Sequence, residues 1–200
     1  MRDAKIENYK KGLYLTGNQK EVLIGILLGD GCLETQNGGK TYRLKVEQSV
    51  SHRDYLFHLY HIFRRLVRTP PRVKRNNYYF QTLSLEILAP YGKMFYGKSG
   101  KKVPGEINTL LTPRAFAYWF MDDVSRKSQQ SKGVLLNTQC FKESEVEMLC
   151  ELLTAKFGLL VWKRLQKEGF QIYISGRSAE RFVNLVKPYI HQSMLYKLPL

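Results

Sequence analysis

Apolar residues along this chain switch between two periods, and the whole series of switches occurs twice. Residues 19–29 (QKEVLIGILLG) are apolar nearly all round, the pattern of a helix buried on every side, and they end in Gly29-Asp30-Gly31. Residues 41–49 then alternate, with Tyr42, Leu44 and Val46 on one face and Arg43, Lys45 and Glu47 on the other. That period of two predicts a half-buried strand. Helical spacing returns over 52–67 through Tyr55, Leu56, Leu59, Ile62, Phe63 and Leu66, and Pro70-Pro71 stops it. Residues 72–88 predict two strands about a turn at Asn76-Asn77.

The second half repeats the order. Thr112-Pro113 opens an apolar helix (AFAYWFM) that closes on Asp122-Asp123. A strand over 133–141, a helix over 142–157, a hairpin over 159–175 about Glu168-Gly169 and a last helix over 178–190 follow. Matched features lie 89 to 95 residues apart: Asp30 with Asp123, Gln48 with Gln139, Lys74-Arg75 with Lys163-Arg164, and Lys102-Val103-Pro104 with Lys197-Leu198-Pro199. The reading is an α+β protein of two duplicated αββαββα halves, 1–100 and 113–200, joined by a linker at 101–112.

Composition narrows the function. Lys and Arg total 32 against 17 Asp and Glu, a formal charge of +15. With 44% hydrophobic and 12% aromatic residues this is a folded cationic protein and not a basic tail, so a polyanion, nucleic acid first, is the expected partner. The longest apolar run, 22–28, is too short to span a bilayer, and no membrane partner is expected. The first fifteen residues read as lacking a targeting segment. Cys32, Cys140 and Cys150 form neither a CxxC pair nor a disulfide framework. His58 and His61 sit at helical spacing without an acid or cysteine at ligand spacing, and read as helix surface.

The acids carry the chemistry. A carboxylate at a helix C-terminus meets the negative end of the helix dipole, at a cost of roughly 0.3–1 kcal/mol when exposed. Both apolar helices end this way, at Asp30 and at Asp122-Asp123. Gly29-Asp30-Gly31 alone also reads as a helix-ending turn with Gly31 left-handed, but the second acid-ended helix favours a pair of converging carboxylates. Such a pair is reconciled by a divalent cation, and carboxylate plus water oxygens suit Mg²⁺. Gly25 and Gly29 on the first helix, with Ala115 and Ala117 on the second, offer small surfaces for close approach.

Residues 23–31 (LIGILLGDG) and 116–124 (FAYWFMDDV) resemble the two motifs of the single-chain LAGLIDADG homing endonucleases. The likeness runs through Val46-Glu47-Gln48-Ser49, Lys101-Lys102-Val103-Pro104, Leu110-Leu111-Thr112-Pro113, Leu136-Asn137-Thr138-Gln139 and Tyr196-Lys197-Leu198-Pro199, about residues 20–200. It implies motif helices at a central interface and two antiparallel sheets on a double-stranded DNA site. It implies site-specific cleavage with Mg²⁺, or Mn²⁺ in its place, at Asp30 and Asp123, with Gly29 and Asp122 beside them. Lys197 and either Lys101 or Lys102 would assist, the echo of K-x-P favouring Lys102, and Gln48 and Gln139 match the strand-end glutamines. Candidates to contact DNA are Arg43, Lys45, Arg72, Lys74, Arg75, Gln81, Lys163, Arg164, Gln166, Lys167, Gln171 and Tyr173. Kinship also implies a monomer encoded in a mitochondrion or chloroplast, and leaves intron RNA as an alternative partner for a splicing maturase or an inactive relative. One position departs: Val124 stands where the motif usually closes on glycine, and a β-branched residue is penalised at positive φ. Either the backbone there differs from the usual motif end or the second site is distorted.

Overall fold

The computed structural model describes residues 4–98, 100–126 and 132–199. The chain divides into two compact units, Met1–Lys20 with Gly31–Lys93, and Glu21–Asp30 with Met94–Leu200. Helices α1 (Ala4–Lys11) and α2 (Gly17–Leu28) come first. Thr16 and Gln19 exchange hydrogen bonds at the start of α2 (2.9 and 3.3 Å), a capping box that satisfies two of the helix's free N–H groups.

In the first unit, β1 (Cys32–Glu34), β2 (Arg43–Ser49), α3 (Arg53–Phe63), β3 (Arg72–Lys74) and β4 (Asn77–Gln81) build one antiparallel sheet in the order β1-β2-β4-β3. Leu44, Val46 and Phe80 turn inward, and α3 covers that face with Tyr55, Leu56, Leu59 and Phe63, all fully buried. The strand period expected for 41–49 is therefore present, with Arg43, Lys45 and Glu47 on the open face. The helix expected over 52–67 ends as α-helix at Phe63 and tightens to 3₁₀ over Arg64–Leu66. The hairpin turn is Arg75-Asn76, one residue earlier than expected, because Lys74 pairs with Asn77. Arg75 adopts φ +55° there, a conformation unfavourable for a residue with a Cβ but one that matches the strand twist.

Helix α4 (Ala89–Phe95) leads from this unit into the short hairpin β5 (Tyr96–Gly97) and β6 (Gly100–Lys101). The second unit continues with α5 (Ile107–Leu110), α6 (Pro113–Asp123), β7 (Val124–Arg126), β8 (Val134–Leu136), α7 (Glu143–Phe157), β9 (Val161–Gln166), β10 (Gly169–Ile174) and α8 (Ala179–Val186). Its sheet has the order β7-β8-β10-β9, the same topology as the first. Leu136, Ile172 and Ile174 pack inward beside Val146, Leu149 and Leu153 of α7 and Phe182 and Val186 of α8.

Several expectations shift here. The strand expected over 133–141 stops at Leu136, since Thr138 donates its hydroxyl to the Phe170 carbonyl (2.7 Å) and its own carbonyl closes a turn with the Phe141 N–H (3.0 Å). The hairpin turn is Lys167-Glu168, and Gly169, at φ +137°, opens β10. The last helix breaks after Val186, where Pro188 follows and a 3₁₀ turn replaces the α-helix. Val124 is extended, φ −80° and ψ 137°, and pairs with Leu136 as the first residue of β7. Of the two expectations for Val124, a different backbone is the one found: φ is not positive there, so a valine is accommodated without strain. Nor does Gly31 turn left-handed: among the described residues the glycines at positive φ are Gly38, Gly39, Gly100, Gly158 and Gly169.

Candidate active site

The site forms within the second unit, where the C-terminal part of α2 meets α6. Both helices are apolar on every face and accordingly buried, from Val22 to Leu28 on one and Ala115 to Met121 on the other. Thr112 caps α6 through the Ala115 N–H (3.1 Å), and its hydroxyl also donates to Glu21 Oε2 of α2 (2.7 Å). Two glycines set the approach. A Cβ on Gly25 would run into the Ala115 carbonyl and would lie 2.7 Å from Tyr118 Cβ, and one on Gly29 would lie 2.6 Å from Asp122 Cβ. Only a bare Cα lets the backbones come this near.

This packing brings the acids together. The Asp30 N–H donates to Asp122 Oδ2 (3.3 Å), so the first motif's end is tied to the second motif's carboxylate. Asp30 is exposed, whereas Asp123 is half-buried. Burial pushes the Asp123 carboxyl up to about 7, the Asp30 charge adds to the rise, and Lys101, Trp119 and Lys197 oppose it.

Two lysines close the site. Lys101 Nζ donates to the Gly29 carbonyl at the end of α2, and Lys197 Nζ donates to the Met121 carbonyl near the end of α6. Each ammonium therefore lies where the helix dipole is negative and where its partner acids follow in the chain. Burial lowers the Lys197 pKa, while Asp122, Asp30 and Asp123 work against that fall. Lys102, favoured by the K-x-P echo, is exposed and reaches back over Gly97. Lys101 is the lysine of that pair that meets the acids, because β6 ends with it and directs it to α2.

The two glutamines belong to different units. Gln48 is buried on β2 in the first unit, its side chain 3.4 Å from His52 Nδ1. Gln139 lies in the turn after β8, packed under Gly169, beside Cys140. Burial raises the Cys140 thiol, and Lys101 and Asp123 both act on it, which places that turn next to the acids.

Strand register sorts the remaining candidates by face. In the first sheet Lys45 opposes Gln81, and Arg72 and Lys74 oppose Tyr79 and Asn77, all on the open face. Glu34 holds Arg43 there through two bonds (2.9 and 2.8 Å), and Glu47 holds Lys45 (3.2 Å). In the second sheet Arg164 opposes Gln171 and Trp162 opposes Tyr173, so these four share the face that α7 does not cover. The Trp162 and Tyr173 rings meet at 4.8 Å, tilted by 57°, and Arg164 lies over Tyr173. Gln171 is nearly buried and donates to Asn137 Oδ1 (2.6 Å). Gln166 follows on the Arg164 face at the end of β9, and Lys167 and Arg75 occupy the hairpin turns.

Lys163 opposes Ile172 and points toward α7, where Glu143 and Glu147 both accept from its ammonium. As a candidate to contact DNA it therefore differs from Arg164, since adjacent strand residues take opposite faces. Trp162 and Trp119 were not among the residues expected at the site. An aromatic that shares a strand face with Arg164 was a usable signal for the first, and its place one helical turn before Asp123 for the second.

The ligand set suits a hard divalent cation: carboxylate oxygens from both motif ends with a main-chain carbonyl beside them, and a cation would relieve the charge that Asp30 imposes on Asp123. Among the described residues no three His, Cys, Asp or Glu side chains gather into a self-sufficient metal cluster, so oxygens from a bound polyanion and water would complete such a shell.

Comparison with known proteins agrees with this geometry. The LAGLIDADG DNA endonuclease family matches residues 20–182. DNA endonuclease I-ChuI of Chlamydomonas applanata is 32% identical over 92% of this chain and 95% of its own. A probable intron-encoded endonuclease of Wickerhamomyces canadensis is 34% identical over 96% of this chain and 89% of its own. A cytochrome b mRNA maturase of Debaryomyces hansenii is 30% identical over 89% of this chain and 72% of its own. The structure of the homing endonuclease I-WcaI bound to its DNA recognition sequence superposes with a TM-score of 0.92 at 32% identity, over 98% of this chain and 93% of that one. With its motifs, its strand order and its relatives in agreement, the chain belongs to the LAGLIDADG DNA endonuclease family.

Proposed function

We propose that this protein is a site-specific endonuclease that hydrolyses one phosphodiester on each strand of a double-stranded DNA target, with Mg²⁺ or Mn²⁺, in the service of intron mobility. The observation that carries the reading is the meeting of Asp30, Asp122 and Asp123 at the ends of two buried helices, flanked by Lys101 and Lys197. Asp30 and Asp123 would each hold a cation for one strand, with the Gly29 carbonyl and Asp122 beside them. When bound there, such a cation would supply a water of lowered pKa and charge to offset that on the leaving oxygen.

The protein's own part is positioning and charge. Asp122 orients the Asp30 backbone. Lys101 and Lys197, anchored by their carbonyl partners, place positive charge where the pentavalent phosphorus gathers negative charge. Gln48 and Gln139 belong to this reading as the family's pair of glutamines, Gln48 near the end of β2 and Gln139 in the turn after β8. DNA lies on the open face of each sheet, met by Arg43, Lys45, Arg72, Lys74 and Gln81 on the first and Arg164, Gln166, Gln171 and Tyr173 on the second, with Arg75 and Lys167 at the hairpin tips. Arg and Gln side chains there can read guanine and adenine edges, and the surplus positive charge supplies the sequence-independent part of binding. The chain acts as a monomer, with its halves at 1–100 and 113–200. Organellar intron encoding accords with its likeness to intron-encoded endonucleases and a cytochrome b mRNA maturase. Among the described residues, no helix is long and apolar enough to cross a membrane.

Incubation with the intron-less form of its host sequence and Mg²⁺ tests the proposal. Linear product that disappears in Asp30→Asn supports it; uncleaved DNA together with tight binding of intron RNA replaces it with a splicing role.

A further inference from the structure

Trp119 is fully buried, and its indole Nε1 has no hydrogen-bond partner among the described residues. Buried N–H groups are rarely left this way in folded proteins, so this one needs an explanation. The indole lies on α6 one turn before Asp123, on the same helix face. Its N–H is left on the side of the helix that carries Asp123 without the geometry of a hydrogen bond to that carboxylate. Phe116 packs against its ring at 5.8 Å and limits its movement.

The two motifs differ at this position. One turn before Asp30 stands Ile26, which is buried and has no donor to offer. Asp30 is exposed and can be hydrated, whereas Asp123 is half-buried and meets less water. The chain thus offers a side-chain N–H one turn before the second acid and an apolar side chain at the matching position before the first.

We propose that Trp119 is a positioning residue for the second motif, its indole N–H closing onto Asp123 when that carboxylate turns to hold its cation, so that it serves cleavage of one strand only. The inference rests on the cation-binding role proposed above for Asp123. A carboxylate ligand held by an outer donor loses one of its swings away from the metal, and loss of such a partner typically weakens metal binding or activity about 10–100-fold.

Trp119→Phe tests this, because it keeps an aromatic ring and removes the N–H. Each strand of the target, labelled separately, reports its own rate, and the loss of free Mn²⁺ signal by electron paramagnetic resonance reports metal binding to the protein–DNA complex. The expected result is cleavage of the Asp123 strand slowed about tenfold or more, the Asp30 strand little changed, nicked DNA accumulating, and weaker Mn²⁺ binding. Added Mn²⁺ then restores the slow strand. Should the phenylalanine variant fail to fold, benzothienylalanine at position 119 keeps the bicyclic shape without the N–H. Equal slowing of both strands, or unchanged Mn²⁺ binding, overturns the proposal and leaves Trp119 a packing residue. Asp123→Asn run alongside separates the two ideas: if both strands are still cut in that variant, the role given to Asp123 fails first.

Discussion

The Asp30 N–H donates to Asp122 Oδ2 across 3.3 Å, so a backbone group at the end of one motif helix is held by a side chain at the end of the other. Gly29 makes the bond possible, since a Cβ there would press on Asp122 at 2.6 Å from its Cβ and 2.9 Å from the accepting oxygen. Close packing and catalytic alignment are thus one feature, and changes to the glycines act on both.

Gly29→Ala is expected to destabilise the protein by about 1–3 kcal/mol, the usual cost of overpacking, and to lower cleavage further than the stability loss accounts for. Gly17, at the start of the same helix, has nothing within 4 Å of where a methyl group would stand, so Gly17→Ala serves as the control with little effect. Urea denaturation and cleavage assays on both variants check the pair.

The raised carboxyl of Asp123 makes the metal-free protein less stable as pH rises. Its folded value, about 7, lies above the ordinary aspartate value of 3.8, so the folded state holds a proton that the unfolded state has lost throughout that window. The stability present at pH 4 is therefore lost as pH climbs through 7. Asp123→Asn removes the dependence and is expected to be more stable than the parent at pH 8, by a few kcal/mol at most, with the difference shrinking toward pH 4. Denaturation in chelator at the two pH values measures it.

Lys197 is held against its own solvation, for burial lowers its pKa although three acids oppose the fall. Lys197→Met keeps the stem and drops the charge. Stability is expected to hold or rise at neutral pH, while cleavage falls about 100-fold or more through loss of charge stabilisation. A variant that is stable and still cleaves at the parental rate would remove Lys197 from the reaction.

The Lys163 placement separates charge on the open sheet face from charge in general. Lys74→Ala and Arg164→Ala are each expected to weaken DNA binding and to flatten its salt dependence by about one phosphate contact. Lys163→Met, which loses the contacts of its ammonium to Glu143, Glu147 and the Phe170 ring, is expected to leave the salt slope unchanged. Fluorescence anisotropy across a salt series gives all three slopes.

Which of these features the sequence displays depends on whether a rule of spacing decides them. The apolar helices and the faces of β2 follow from period alone, so Arg43 and Lys45 are placed by pattern. Lys163 and Arg164 are adjacent and equally basic, and only the register against Ile172 and Gln171 assigns one to α7 and the other to the open face. Strands of three residues, β1 and β7, carry too few alternations to register as a period. Lys101 and Lys102 differ by one position after a hairpin, and the K-x-P echo favours the wrong neighbour for contact with Gly29 because β6 fixes which side chain turns inward. Val124 shows the same limit: the residue type signals strain, but the backbone is extended there and none exists.

The proposed division of labour, Asp30 for one strand and Asp123 for the other, is tested by strand-resolved cleavage of the target by Asp30→Asn and by Asp123→Asn. Each variant is expected to nick a single strand, the two nicks falling on opposite strands, and the double variant to bind the DNA without cutting it. Double-strand cleavage by either single variant, or both variants sparing the same strand, would contradict it.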